Sequence, residues 1–181
     1  MVILSRATPP IDRARFEAEI LPHLDSASNF ARWMVRDPGL SEDVVQEAML
    51  RALTYFAGFR GGDGRAWLLQ IVRNTANSML AQRQSQPQAA SDEAAAMNVA
   101  DPAHNPEEAA SAMQGAALLA RALAALPDEL RECLVLRELE ELSYKQISEV
   151  VGVPMGTVMS RLWRARQALL GADAGGAAHA S

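Results

Sequence analysis

The chain has one cysteine and one lysine among 181 residues, few aromatics, and no long apolar run. A single thiol, Cys133, excludes an intrachain disulfide and a cysteine-rich zinc cluster, and it fits a reducing compartment. The single lysine, Lys145, leaves arginine as almost the only base, which reads as GC-rich coding and not as a binding device. No stretch approaches the roughly 18 apolar residues of a membrane span, since the Ala- and Leu-rich run 116–126 is broken by Arg121. The opening residues 1–6 hold no apolar core of a signal peptide. The expected location is therefore cytoplasmic, without membrane insertion. At 5% aromatic and rich in Ala and Leu, the chain favours helices over sheets, and no alternating strand pattern stands out. The histidines, His23, His104 and His179, fall in separate segments. No catalytic constellation, metal site or cofactor motif is visible, so an enzyme is not expected.

Positive charge is also scarce overall, with a net of −5, which at first argues against nucleic acid. The distribution reverses that. Residues 84–111 contain no basic side chain and five acidic ones: Asp92, Glu93, Asp101, Glu107 and Glu108. Segments 58–83 and 154–171 each carry +3. The acidic stretch is Ala, Gln and Pro with almost nothing large and apolar, so it cannot offset its ordering entropy and reads as a flexible linker. It divides the chain into two small helical bodies, 12–83 and 112–171, followed by a small polar tail over 172–181. The expected fold class is all-α.

In the first body the pattern predicts a helix from residue 12 into the 20s and another over 26–36. A turn at Asp37-Pro38-Gly39 follows, then a helix over 41–56 capped by Ser41, and a long helix over 65–83. Val45, Ala48, Ala52 and Tyr55 or Phe56 form the inner face of the 41–56 helix. A second stripe on it, Asp43, Gln46, Glu47 and Leu50, is an acidic rim around an apolar residue. It suits either docking to a basic protein or a solvated face with one stray leucine. The next helix has Leu68, Ile71, Val72, Thr75 and Met79 inward and Gln70, Arg73, Asn74 and Asn77 opposite. The glycine-rich loop before it offers free amides, Phe59, Arg60 and Arg65, with Trp67 just inside the helix. Aromatics, amides and arginine together can cradle unpaired bases, although Phe59 and Trp67 also suit a core.

In the second body a helix near 112–125 has Leu118, Leu119, Ala122 and Leu123 inward, and Pro127 separates it from a helix over 128–139. Cys133 reads as core. Ser143 and Gln146 have capping-box spacing, Gly152 suits a helix end, and a last helix runs to about 170. This is helix-turn-helix spacing. In the last helix Val158, Leu162, Ala165 and Leu169 share the core face, while Gly156, Ser160, Trp163, Arg164 and Gln167 lie opposite, flanked by Thr157 and Met159. A narrow, basic, donor-rich face on a second helix is what major-groove reading requires. An ordinary helical hairpin with a solvated basic face also fits. Trp163 on the outer face marks a contact surface, unless it tucks against the preceding helix.

These blocks together resemble the extracytoplasmic-function (group IV) sigma factors of bacterial RNA polymerase. The matching stretches are SEDVVQEAMLRAL (41–53), FRGGDGRAWLLQIVRNTANSML (59–80), NPEEA (105–109), LPDELRECLVLRELEELSYKQISEVVGV (126–153) and GTVMSRLWRAR (156–166), in order and in register over residues 12–171. The resemblance implies a region 2 and a region 4 domain on a tether that threads toward the polymerase cleft. It implies that Asp43, Gln46, Glu47 and Leu50 dock on the clamp helices of the β′ subunit, and that region 4 binds the tip of the β flap. Phe59, Arg60, Arg65, Trp67, Arg73, Asn74 and Asn77 would bind the −10 element. Thr157, Met159, Ser160, Arg161, Trp163 and Arg164 would face the −35 element. An anti-sigma factor is an expected partner. Two positions depart from the family pattern: Met159 stands where many relatives carry Lys or Arg, and Ala81-Gln-Arg-Gln84 has one arginine where relatives have several. Both imply weak DNA affinity without core polymerase. A stand-alone helix-turn-helix regulator, or an adaptor that binds no DNA, are the alternatives from the residues alone.

Overall fold

The computed structural model describes residues 12–85 and 106–176, with side chains described over 12–85 and 115–171. Most of the expected acidic linker and the last residues of the tail lie outside this range. The described residues form eight α-helices and two short 3₁₀ turns, with no strand.

Helix α1 (Arg13–Glu19) begins where the Asp12 carboxylate accepts the Arg15 N–H, and it buries Phe16. It is shorter than the periodicity predicts. Pro22 has no N–H to continue the ladder, so the chain passes through a 3₁₀ turn (Leu21–His23) into α2 (Leu24–Val35). Arg36 closes α2 in the left-handed conformation. Helix α3 (Pro38–Tyr55) then starts three residues earlier than expected. Its cap is Asp37, which accepts the Leu40 N–H at 3.0 Å, with Pro38 in the first turn, while Ser41 is buried and donates to the Pro38 carbonyl. The Leu40 amide and Arg83 hold the Asp37 carboxyl below its ordinary range, so this cap weakens as pH falls. The inner face of α3 is Leu40, Val44, Ala48 and Ala52, continued by Phe56; Tyr55 points outward.

Helix α4 (Gly64–Ser85) buries Leu68, Val72 and Thr75 as its spacing predicts, but also Ala66, Leu69 and Ala76. It is enclosed on two sides because the second body packs against it. At its start the helix runs so close to α1 that a Cβ on Gly64 would sit 2.4 Å from the Glu19 carbonyl. Gly64→Ala should therefore destabilise the protein by about 1–3 kcal/mol through forced backbone displacement, a loss that thermal denaturation would report.

Helix α5 (Pro106–Ala125) opens earlier than the linker was expected to end, with Pro106 in its first position and Glu107 and Glu108 next in sequence. Leu118 and Leu119, expected inward, are exposed, and only Leu123 is buried. Among the described side chains the helix meets the core through Ala120 and Leu123, while Leu119 faces an open apolar cavity shared with Leu134 and Val135 of α6 and Leu169 of α8. Helix α6 (Asp128–Glu138) is buried at every position from Leu130 to Leu136, Arg131 and Glu132 included. It lies between α2 of the first body and α8 of its own. Helix α7 (Tyr144–Val151) carries the predicted Ser143/Gln146 capping box and ends at Gly152 with φ 71°. Helix α8 (Met155–Gly176) continues beyond residue 170, into what was expected to be tail.

Candidate nucleic-acid interface

Three surfaces carry the residues singled out in sequence. The first is the outer face of α3. Asp43 and Gln46 are exposed, Glu47 is half-buried and paired with Arg51 at 2.8 Å, and Leu50 is 63% exposed. With Met79 and Gln82 of α4 they line a shallow groove of about 410 Å³.

The second surface is the glycine-rich loop and α4. Gly61 and Gly62 take φ of 90° and 109°, which only glycine adopts without strain, and this turns the loop back onto α4. Phe59 is buried, stacked on Phe56 at 5.7 Å and tilted against the half-buried Trp67 at 4.8 Å. The Arg15 guanidinium lies 5.6 Å from the Phe59 ring centre and donates to its carbonyl at 3.1 Å. Asp63 accepts the Ala66 N–H at 3.0 Å and also bonds Gln146. Burial works against its ionisation, but these bonds prevail and hold its carboxyl below the ordinary range. Arg60 is exposed at the mouth of a cavity of about 450 Å³ bounded by Phe59, Trp67, Gln70 and, from α7, Glu149.

Along α4 the polar side chains divide into two sets. Asn74 and Asn77 are exposed. Arg65, Gln70 and Arg73 are instead held by the second body. Arg65 donates to Glu140 at 2.6 Å, Gln70 to the Glu149 carbonyl at 3.0 Å, and Arg73 to both oxygens of Glu132 at 2.7 and 3.1 Å. Glu140 is 3% exposed and also accepts from Asn29; Glu132 is 5% exposed. Sequence reasoning missed both carboxylates. The signal for Glu132 was there, an acid inside the apolar run Leu130–Leu136, where a charge needs a partner.

The third surface is the outer face of α8. Trp163 is 64% exposed and does not tuck against α7; Met159, Ser160 and Arg164 are exposed beside it and Thr157 is half-buried. Arg161 is different. It is buried, and it pairs with Glu129 at 3.0 Å and with Glu132 at 3.3 Å. Next to that carboxylate lies Cys133, whose thiol burial and the Glu132 charge push upward, away from reactivity. Among the described residues no three His, Cys, Asp or Glu side chains cluster as metal ligands, and no helix is long and apolar enough to cross a membrane.

The described residues are all-helical and carry a helix-turn-helix with exposed Trp163 and Arg164 on its second helix, the architecture of the DNA-binding class. Family models place it further. Residues 20–86 match Sigma-70 region 2, and residues 116–169 match Sigma-70 region 4. The chain is 37% identical over 134 residues to the ECF RNA polymerase sigma-E factor of Escherichia coli, covering 70% of each. It is 32% identical over 165 residues to the RNA polymerase sigma-H factor of Pseudomonas aeruginosa, covering 87% of this chain and 86% of that one. The sigma factor RpoE of Bartonella quintana, solved with the anti-sigma factor NepR, superposes with a TM-score of 0.71 at 26% identity over 86% of this chain and 94% of that one. The chain belongs to the ECF sigma factors of bacterial RNA polymerase. It directs promoter-specific initiation by core RNA polymerase, with that enzyme and promoter DNA as its partners. Membership in this family decides among the three readings left open by the residues.

Proposed function

We propose a division of labour among the three surfaces. The α3 face of Asp43, Gln46, Glu47 and Leu50 docks on the β′ clamp helices, and region 4 meets the tip of the β flap. The loop 59–65 with Trp67, Arg73, Asn74 and Asn77 binds the −10 element. The outer face of α8 reads the −35 element in the major groove. The protein works in the cytoplasm, performs no catalysis itself, and is restrained by an anti-sigma factor, as its structural neighbour solved with NepR suggests.

One observation carries this reading. The core positions of α8 are filled by Val158, Leu162 and Ala165, while Trp163, Ser160 and Arg164 stand free on the other side. A large aromatic left in water next to a cation is a contact surface waiting for its partner. Two consequences bear on the individual residues. Phe59 serves first as a core residue of the aromatic cluster, so it would support the −10 pocket from behind. Arg65 and Arg73 can bind DNA only after leaving Glu140 and Glu132, which requires region 2 and region 4 to separate.

The test is reconstitution. Purified protein added to sigma-free core polymerase should produce transcripts from specific members of a promoter library. Duplex binding without core would favour a stand-alone regulator. On the α3 face, Leu50→Asp should lower core affinity by about tenfold or more, because a charge would replace an apolar anchor. Fluorescence anisotropy against core polymerase measures this, and unchanged binding would mean the surface is misplaced.

A further inference from the structure

The outer face of α8 begins apolar and turns cationic further along. Met155 and Met159 are each about half exposed on adjacent turns at its start, followed by Trp163 one turn on. Between the two methionines lies Gly156, whose φ is ordinary and whose missing Cβ would meet nothing within 4 Å. The fold therefore gives no reason for a glycine there, and its absent side chain leaves the backbone open to close approach from outside.

The charges of the helix lie elsewhere. Of its arginines, Arg161 is tied to Glu129 and Glu132, and Arg166 to Glu138 at 2.7 Å. Arg164 alone makes no ion pair among the described residues, and it lies more than two turns after Met155.

In a helix-turn-helix the first residues of the second helix meet base edges in the major groove. Guanine is read there by a bidentate arginine or lysine, through O6 and N7. This helix offers no donor of that kind at its start. A methionine thioether is apolar, flexible and polarisable, and it has no proton to give to a base edge. The apolar feature that the major groove presents is the 5-methyl group of thymine.

We propose that Met155 and Met159 set the −35 preference of this sigma factor, selecting thymine through its methyl group at the base pairs beneath the start of α8. This rests on the reading that α8 enters the major groove. Ser160 and Thr157 then supply short polar contacts beside it, and Trp163 with Arg164 holds the sugar–phosphate backbone.

The test uses holoenzyme reconstituted from the full chain and core polymerase. A promoter library randomised over the −35 element should enrich thymine at one or two positions. At those positions, replacing thymine by deoxyuracil removes the methyl group and keeps the hydrogen-bonding edge. Initiation should fall about three- to tenfold, the worth of one buried methyl contact. Met159→Ala should abolish the difference between thymine and deoxyuracil, and Met159→Arg should shift the enriched base toward guanine. Circular dichroism confirms that these surface variants fold. Enrichment of guanine by the unaltered protein, or indifference to deoxyuracil at every position, overturns the inference, provided Trp163→Ala with Arg164→Ala still lowers initiation. If that double variant initiates as the parent does, the −35 assignment of α8 itself fails.

Discussion

Trp163→Ala combined with Arg164→Ala should lower promoter-specific initiation on the order of 100-fold, since one good contact to DNA is worth about 1–3 kcal/mol and two are lost. Core binding should be unaffected. The argument is one of exposure. Trp163 is 64% exposed and Arg164 is exposed beside it, so neither holds α8 in place; Val158, Leu162 and Ala165 do that. Run-off transcription from a selected promoter measures the first quantity, and co-elution with core polymerase the second. Loss of core binding in the double variant would show that this surface belongs to the polymerase interface and not to DNA.

Glu132→Ala should cost about 3–5 kcal/mol of stability, the usual consequence of removing one partner from a buried ion pair. Glu132 is 5% exposed and accepts from Arg73 on one side and Arg161 on the other. Without it Arg73 loses its carboxylate while partly buried, and Arg161 keeps only the more exposed Glu129. Glu132→Gln keeps the shape but not the charge, so it should recover only a minor part of the loss. Urea denaturation of both variants checks this, and a change within about 0.5 kcal/mol, typical of surface substitutions, would show that the shared carboxylate is not a structural centre.

What the sequence disclosed was set by range. The Ser143/Gln146 capping box and the left-handed Gly152 were legible because their partners lie within a few residues. The start of α3 was misjudged because two residues could cap it. Asp37 prevails over Ser41 because Pro38 behind it is already shaped for a first turn. The inward placement of Leu118 and Leu119 failed for another reason: spacing reports that a helix has an apolar face, not how closely another element covers it. The surfaces on α3 and α8 were readable as stripes opposite a core face. The burial of Arg161, and the pairing of Arg65 and Arg73 with Glu140 and Glu132, were not, since those partners lie tens of residues away.

Those last two pairs bear on how the protein meets DNA. A guanidinium fork holds one oxyanion in bidentate fashion, so Arg73 is occupied while Glu132 grips it. Any phosphate that uses Arg73 or Arg65 must displace a carboxylate belonging to the same chain. Such a competitor has an effective concentration set by covalent connection, on the order of millimolar for a short tether, and dilution does not reduce it. Under the proposed assignment of Arg65 and Arg73 to the −10 element, promoter DNA added to the free protein contends with a ligand that cannot be washed away.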